Sequence, residues 1–134
     1  MASNFMRILG VGALAATIAV PAAALETRYG GQVEQVNNTV FEVTGRASAA
    51  NGQEYWCNAA EYARRSLDAG WNDTIKIVRG RATGQVINRK SVVQFSLDPG
   101  HDATGIRNIN SLQVGESLTV QRADIYCGYY RARL

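Results

Sequence analysis

Two cysteines, Cys57 and Cys127, with no third, constrain this chain more than any other feature. Joined, they close a loop of about 70 residues, which in the chain-entropy account removes roughly 4 kcal/mol of freedom from the unfolded state. The N-terminus says whether they can join. Met1 to Arg7 is a polar start with one cation, Ile8 to Val20 is apolar and uncharged, and Pro21-Ala22-Ala23-Ala24 ends in the small-x-small pattern that signal peptidases cut after. Residues 1–24 therefore read as a cleavable export signal, and thiols oxidise outside the cytosol. The apolar run, about 13 residues, is shorter than the roughly 20 that span a bilayer as a helix, so no permanent membrane span is expected. A zinc site is the competing use of the sulfurs. Two isolated cysteines and the single histidine, His101, do not match its ligand spacing.

Cleavage after Ala24 leaves 110 residues, 25–134, enough for one domain with one modest core. Without Arg7 that part carries 13 Lys and Arg against 11 Asp and Glu, a net charge of +2. So mild a balance argues against nucleic acid as a partner. No repeat, low-complexity tract or cofactor motif interrupts it.

Leu25 to Gln32, with Arg28-Tyr29-Gly30-Gly31, reads as a loose leader. From Thr39 to Ala47, Phe41 and Val43 fall on one face and Glu42, Thr44 and Arg46 on the other, the alternation of a half-buried strand. Asn51 to Gly70 changes period: Trp56, Ala59, Ala60, Ala63 and Leu67 make one apolar stripe. Asn51 is placed to cap this helix with Glu54 in capping-box spacing, and Gly70 to end it. Glu61 with Arg64 and Arg65 reads as an exposed ion-pair face. Thr74 to Arg79 and Ser91 to Leu97 are strands with Ile75, Ile77, Val93, Phe95 and Leu97 inward. Between them runs a long cationic connection, Gly80 to Lys90, in which Val86-Ile87 can extend the pairing. Asp98-Pro99-Gly100 and Val114-Gly115-Glu116-Ser117 are turns. Leu118 and Val120 share one parity while Ala123, Ile125 and Cys127 share the other, so a final strand over Leu118 to Cys127 needs a bulge near Gln121-Arg122. The expected fold is α+β: one helix on a small, mainly antiparallel sheet, in the order β-α-β-β-β. The disulfide Cys57–Cys127 would tie the helix start to the last strand.

Four cations, Arg79, Arg81, Arg89 and Lys90, crowd the connection between two strands and nominate a surface for an anionic envelope component; a solvated hairpin explains the same residues. Tyr129, Tyr130, Arg131 and Arg133 combine residue types enriched at interfaces with another exported protein, and they also suit a frayed terminus. His101 between Asp98 and Asp102 reads as a solvated turn residue, and the eleven acids nominate no catalytic pair. Asn37-Asn38-Thr39 and Asn72-Asp73-Thr74 match the glycosylation pattern, without consequence in a bacterial host.

Two resemblances add to this reading. Trp56-Cys57-Asn58-Ala59 and Gly100-His101 resemble the Cys-bearing helix and the histidine of small papain-like amidases that cut cell-wall peptides, which implies Cys57 as nucleophile and His101 as base. The chain departs from that pattern where Asp102-Ala103-Thr104-Gly105 replaces the apolar strand after the histidine. Tyr55-Trp56-Cys57-Asn58-Ala59-Ala60-Glu61-Tyr62, the strand after it and Tyr126-Cys127 are similar to a group of small exported proteobacterial proteins without assigned activity. That likeness implies a periplasmic or secreted location and no catalytic residue. The expected function is a non-catalytic binding or accessory module of the cell envelope, with the cell-wall amidase as runner-up.

Overall fold

Alternation along the strands sends Phe41 and Val43, Ile75 and Ile77, and Val93 and Phe95 to one side of a sheet, where all six are fully buried. The structure, a computed structural model, describes residues 25–47 and 50–128. Its strands are β1 (Leu25–Glu26), β2 (Gln32–Gln35), β3 (Val40–Val43), β4 (Thr74–Ala82), β5 (Val92–Asp98) and β6 (Ser117–Thr119); its helices are α1 (Gly52–Arg65) and α2 (Val120–Ile125). The strands form one antiparallel sheet in the order β1-β2-β3-β5-β4-β6. The registers Phe41↔Phe95 and Ile77↔Phe95 align the apolar residues across three strands. Since β5 is antiparallel to both β3 and β4, those two run parallel, joined through α1 with β5 inserted between them. The α+β expectation of a main helix on an antiparallel sheet holds, with two strands added before the first expected one and a short helix after the last.

α1 lays its stripe on that apolar side. Trp56, Ala59, Ala60, Tyr62 and Ala63 are buried in one cluster with the six strand residues. The alanines admit the helix close to the sheet, Trp56 meets Phe95 edge-on at 5.0 Å, and Tyr62 meets Phe41 at 4.9 Å. Asn51 caps the helix as expected, its side chain accepting from the Glu54 N–H at 3.1 Å. The Glu54 carboxylate, however, reaches the Arg46 N–H at 2.9 Å and so ties the end of the β3 segment to the helix start. The helix stops at Arg65, short of Gly70: Asp68 takes the left-handed conformation (φ 56°) and the Ala69 N–H bonds back to the Ala63 carbonyl at 2.9 Å.

Two further expectations are corrected. The segment read as a loose leader is built into the fold. Tyr29 is buried beside Cys57 and Cys127, and buried Asn58 of α1 holds both Thr27 Oγ1 (2.8 Å) and the Thr44 carbonyl (2.9 Å). The final strand is only Ser117–Thr119; the chain then turns into α2, with Thr119 as N-cap accepting from the Arg122 N–H. A change of period from two to 3.6, rather than a bulge, carries Val120 and Ala123 into the core and leaves Ile125 67% exposed. The register irregularities lie instead in β4, between Ile77 and Arg79 and between Arg79 and Ala82. Cys57 and Cys127 are bonded, with Cα atoms 4.9 Å apart, so the bridge joins α1 to the segment after α2 and not to a strand. Among the described residues no helix is long and apolar enough to cross a membrane.

Candidate functional site

The other side of the sheet carries the unexpected chemistry. Glu42, alternating with Phe41 and Val43, points away from α1, yet it is fully buried. The connection between β4 and β5 folds back over it. The backbone N–H groups of Gln85, Val86 and Ile87 donate to the Glu42 carboxylate at 2.6, 2.9 and 2.9 Å, and Gln94 Nε2 donates at 2.9 Å. Three successive N–H groups aimed at one carboxylate make an anion nest filled by the protein's own side chain. Gly84 permits the approach, because a Cβ there would lie 2.1 Å from the Ile87 oxygen and 3.0 Å from Glu42 Oε1. Burial pushes the Glu42 carboxyl up, but the Gln85, Ile87 and Val86 N–H groups and the Gln94 amide outweigh it and hold the group below its ordinary value. Val86-Ile87 therefore extends no strand; its N–H groups serve Glu42.

Of the four nominated cations only Arg79 touches the clamp. Arg79 turns inward, with Nη1 3.7 Å from Glu42 Oε2 and Nη2 donating to the Thr83 carbonyl. Arg81 lies over the Tyr55 ring at 4.8 Å and reaches Ser91 Oγ at 3.4 Å. Arg89 Nη1 spans Thr44 Oγ1 and the Gly45 carbonyl, both at 3.4 Å, beside a cleft of about 420 Å³ lined by Leu25, Glu26, Gly30, Gly31, Gln32 and Arg89. Lys90 is exposed and has no ion-pair partner among the described residues. Arg81, near the end of β4, and Lys90 are thus exposed and Arg89 half-exposed, while Arg79 serves the clamp. Arg46, outside those four, donates to the Tyr29 carbonyl at 3.2 Å and packs on Gly30 at the same cleft.

Two more carboxylates are buried, Glu116 of the expected turn and Glu61 of the helix face read as exposed. Glu116 gathers Ser111 Oγ (2.6 Å) and the N–H groups of Arg107 (2.9 Å) and Gln113 (3.1 Å); burial raises its pKa, and these donors with the Arg107 charge lower it further than burial raises it. Glu61 is not on an exposed face. It is 2% exposed and receives Arg65 at 2.6 Å and Arg28 at 3.1 Å, while Arg64 turns to Asp124 at 3.9 Å. Each of these acids organises loops or joins elements.

The runner-up's residues stand otherwise than that chemistry needs. The Cys57 sulfur is bonded to Cys127 and fully buried, and His101 Nδ1 pairs with Asp98 at 2.7 Å in the β5 turn. Among the described residues no group of three or more His, Cys, Asp or Glu is placed to hold a metal ion. Tyr129, Tyr130, Arg131 and Arg133, like residues 1–24 that were expected to form an export signal, lie outside the described residues. Comparison with protein-family models, curated proteins and solved structures found no match to this chain.

Proposed function

We propose that the protein is an exported, disulfide-stapled binding module of the cell envelope, acting without catalysis, and that it engages an anionic component through Arg81, Arg89 and Lys90. The observation that carries this reading is the Glu42 clamp. A surface loop rich in cations is ordinarily mobile, and ordering it on binding costs affinity. Here three backbone bonds to a buried carboxylate hold the loop before any partner arrives. The export signal and the bond between Cys57 and Cys127 support an oxidising compartment, where anionic headgroups and polymers are the abundant surfaces.

The test uses sedimentation with vesicles containing phosphatidylglycerol. Each basic residue near such a surface contributes about 1 kcal/mol, so the Arg89→Glu, Lys90→Glu double variant is expected to bind at least about tenfold more weakly, with a flatter salt dependence. Arg79→Gln, by contrast, should act through stability. Equal binding by the double variant and the parent would refute the assignment.

A further inference from the structure

A second surface, away from the clamp, is built from a turn and α2. Gly70 to Asp73 form a tight turn in which the Asp73 N–H donates to the Gly70 carbonyl at 3.1 Å and the Gly70 N–H to Asp73 Oδ2 at 2.8 Å. The turn is pinned to the first residues of α2: the Val120 N–H donates to the Asp73 carbonyl at 2.8 Å and the Gln121 N–H to the Trp71 carbonyl at 3.0 Å. Helical spacing then sets Gln121, Asp124 and Ile125 beside Trp71 and Asn72, and these five line an open cleft of about 440 Å³. Arg64 of α1 lies 4.0 Å from the Trp71 ring and 3.9 Å from Asp124 Oδ1, so the ring and the carboxylate are held in a fixed relation. Trp71 is 45% exposed and Ile125 67%, and neither belongs to the core cluster.

We infer that this cleft binds a neutral sugar ring, an assignment independent of the anionic surface proposed above. A pyranose offers one face of polarised C–H bonds and a perimeter of hydroxyls that both donate and accept. Arg64 stacks over one face of Trp71, and the ring, 45% exposed, supplies the π-surface that lines the cleft for the first. Asn72 and Gln121, both exposed, each offer a paired donor and acceptor for the second. Charge selects against an anion, because Arg64 and Asp124 offset one another. An apolar peptide would cover Trp71 and Ile125 but would strip water from the exposed amides of Asn72 and Gln121 without replacing their hydrogen bonds.

The two tryptophans make the test direct, since Trp56 is fully buried and Trp71 is the exposed fluorophore. Maltotriose and N,N′-diacetylchitobiose, as a neutral hexose and an N-acetylhexosamine probe, are titrated into the full-length processed protein at millimolar concentration. Saturable protection of Trp71 from acrylamide quenching by one of them is expected. Trp71→Ala should abolish binding measured by calorimetry, Gln121→Ala should weaken it about fivefold with the melting temperature retained, and the Arg89→Glu, Lys90→Glu variant should bind the sugar unchanged. Should Trp71→Ala not fold, the Gln121→Ala comparison decides alone. No protection by either sugar, or affinity undiminished in Gln121→Ala, overturns the assignment.

Discussion

The two sides of the sheet are closed by opposite means. Against α1, the sheet buries Phe41, Val43, Ile75, Ile77, Val93 and Phe95 under Trp56, Tyr62 and three alanines, so the contact is apolar and held by area removed from water. On the other side the cover is a loop without regular structure, and what it shields is a carboxylate. There the free energy resides in a few directed bonds to Glu42, each of which fails if its partner is removed, since a buried charge left unmatched costs several kcal/mol. The first side tolerates change in proportion to volume lost. The second has a single point of failure, and that point also holds the loop that leads to Arg89 and Lys90.

Substitutions on the two sides sharpen this contrast. The largest expected effect is on the apolar side: Phe95→Ala leaves a cavity among Phe41, Trp56 and Ile77 and should cost about 4 kcal/mol in denaturant unfolding, with the whole domain losing stability together. Removing the bridge in a Cys57→Ser, Cys127→Ser protein should cost a comparable amount, roughly 4 kcal/mol, because a loop of some 70 residues regains its freedom. A melting temperature unchanged by reductant would contradict that role. Glu42→Gln should cost about 3 kcal/mol, since an amide replaces one acceptor oxygen by a donor facing the loop N–H groups.

The Glu42 effect should also depend on pH with a defined sign. The folded protein holds Glu42 and Glu116 below the ordinary carboxylate range, so the unfolded chain binds more protons there and stability rises with pH. The contribution is complete above an ordinary glutamate pKa of about 4.3 and is lost as pH falls through the depressed folded values. Part of that acid sensitivity should disappear in Glu42→Gln, which thermal melts between neutral and acid pH would record. The smallest effect is expected for Lys90→Glu, within about 0.5 kcal/mol of the parent, because an exposed charge without an ion-pair partner among the described residues contributes little to stability.

The same contrast explains what could be read from the sequence. Period two in Thr39 to Ala47 and in Ser91 to Leu97, the cap at Asn51 and the pair of cysteines all follow local rules, and the structure agrees with them. Alternation says that Glu42 and Thr44 oppose Phe41 and Val43; it does not say whether something covers them. That depends on a loop more than 40 residues away, whose signal was only the apolar pair Val86-Ile87 after Gly84 in a polar connection. Tyr29 and the first strands were hidden for a similar reason, since Asn58 and the disulfide hold them and their own composition is loose. In α2 the information was present: the slip of parity after Val120 marks a change of period, and Thr119 caps it. The Trp71 cleft joins a turn to a helix some 50 residues later, a juxtaposition no local pattern carries.

Hydrogen exchange at Gln85, Val86 and Ile87 tests the central claim most directly. If Glu42 clamps the loop, these three amides exchange slowly in the parent protein although they lie in a connection without regular structure. In Glu42→Gln they should exchange orders of magnitude faster while Val43, Phe95 and the α1 amides keep most of their protection. Fast exchange of the three amides in the parent, or equal protection in both proteins, would contradict it.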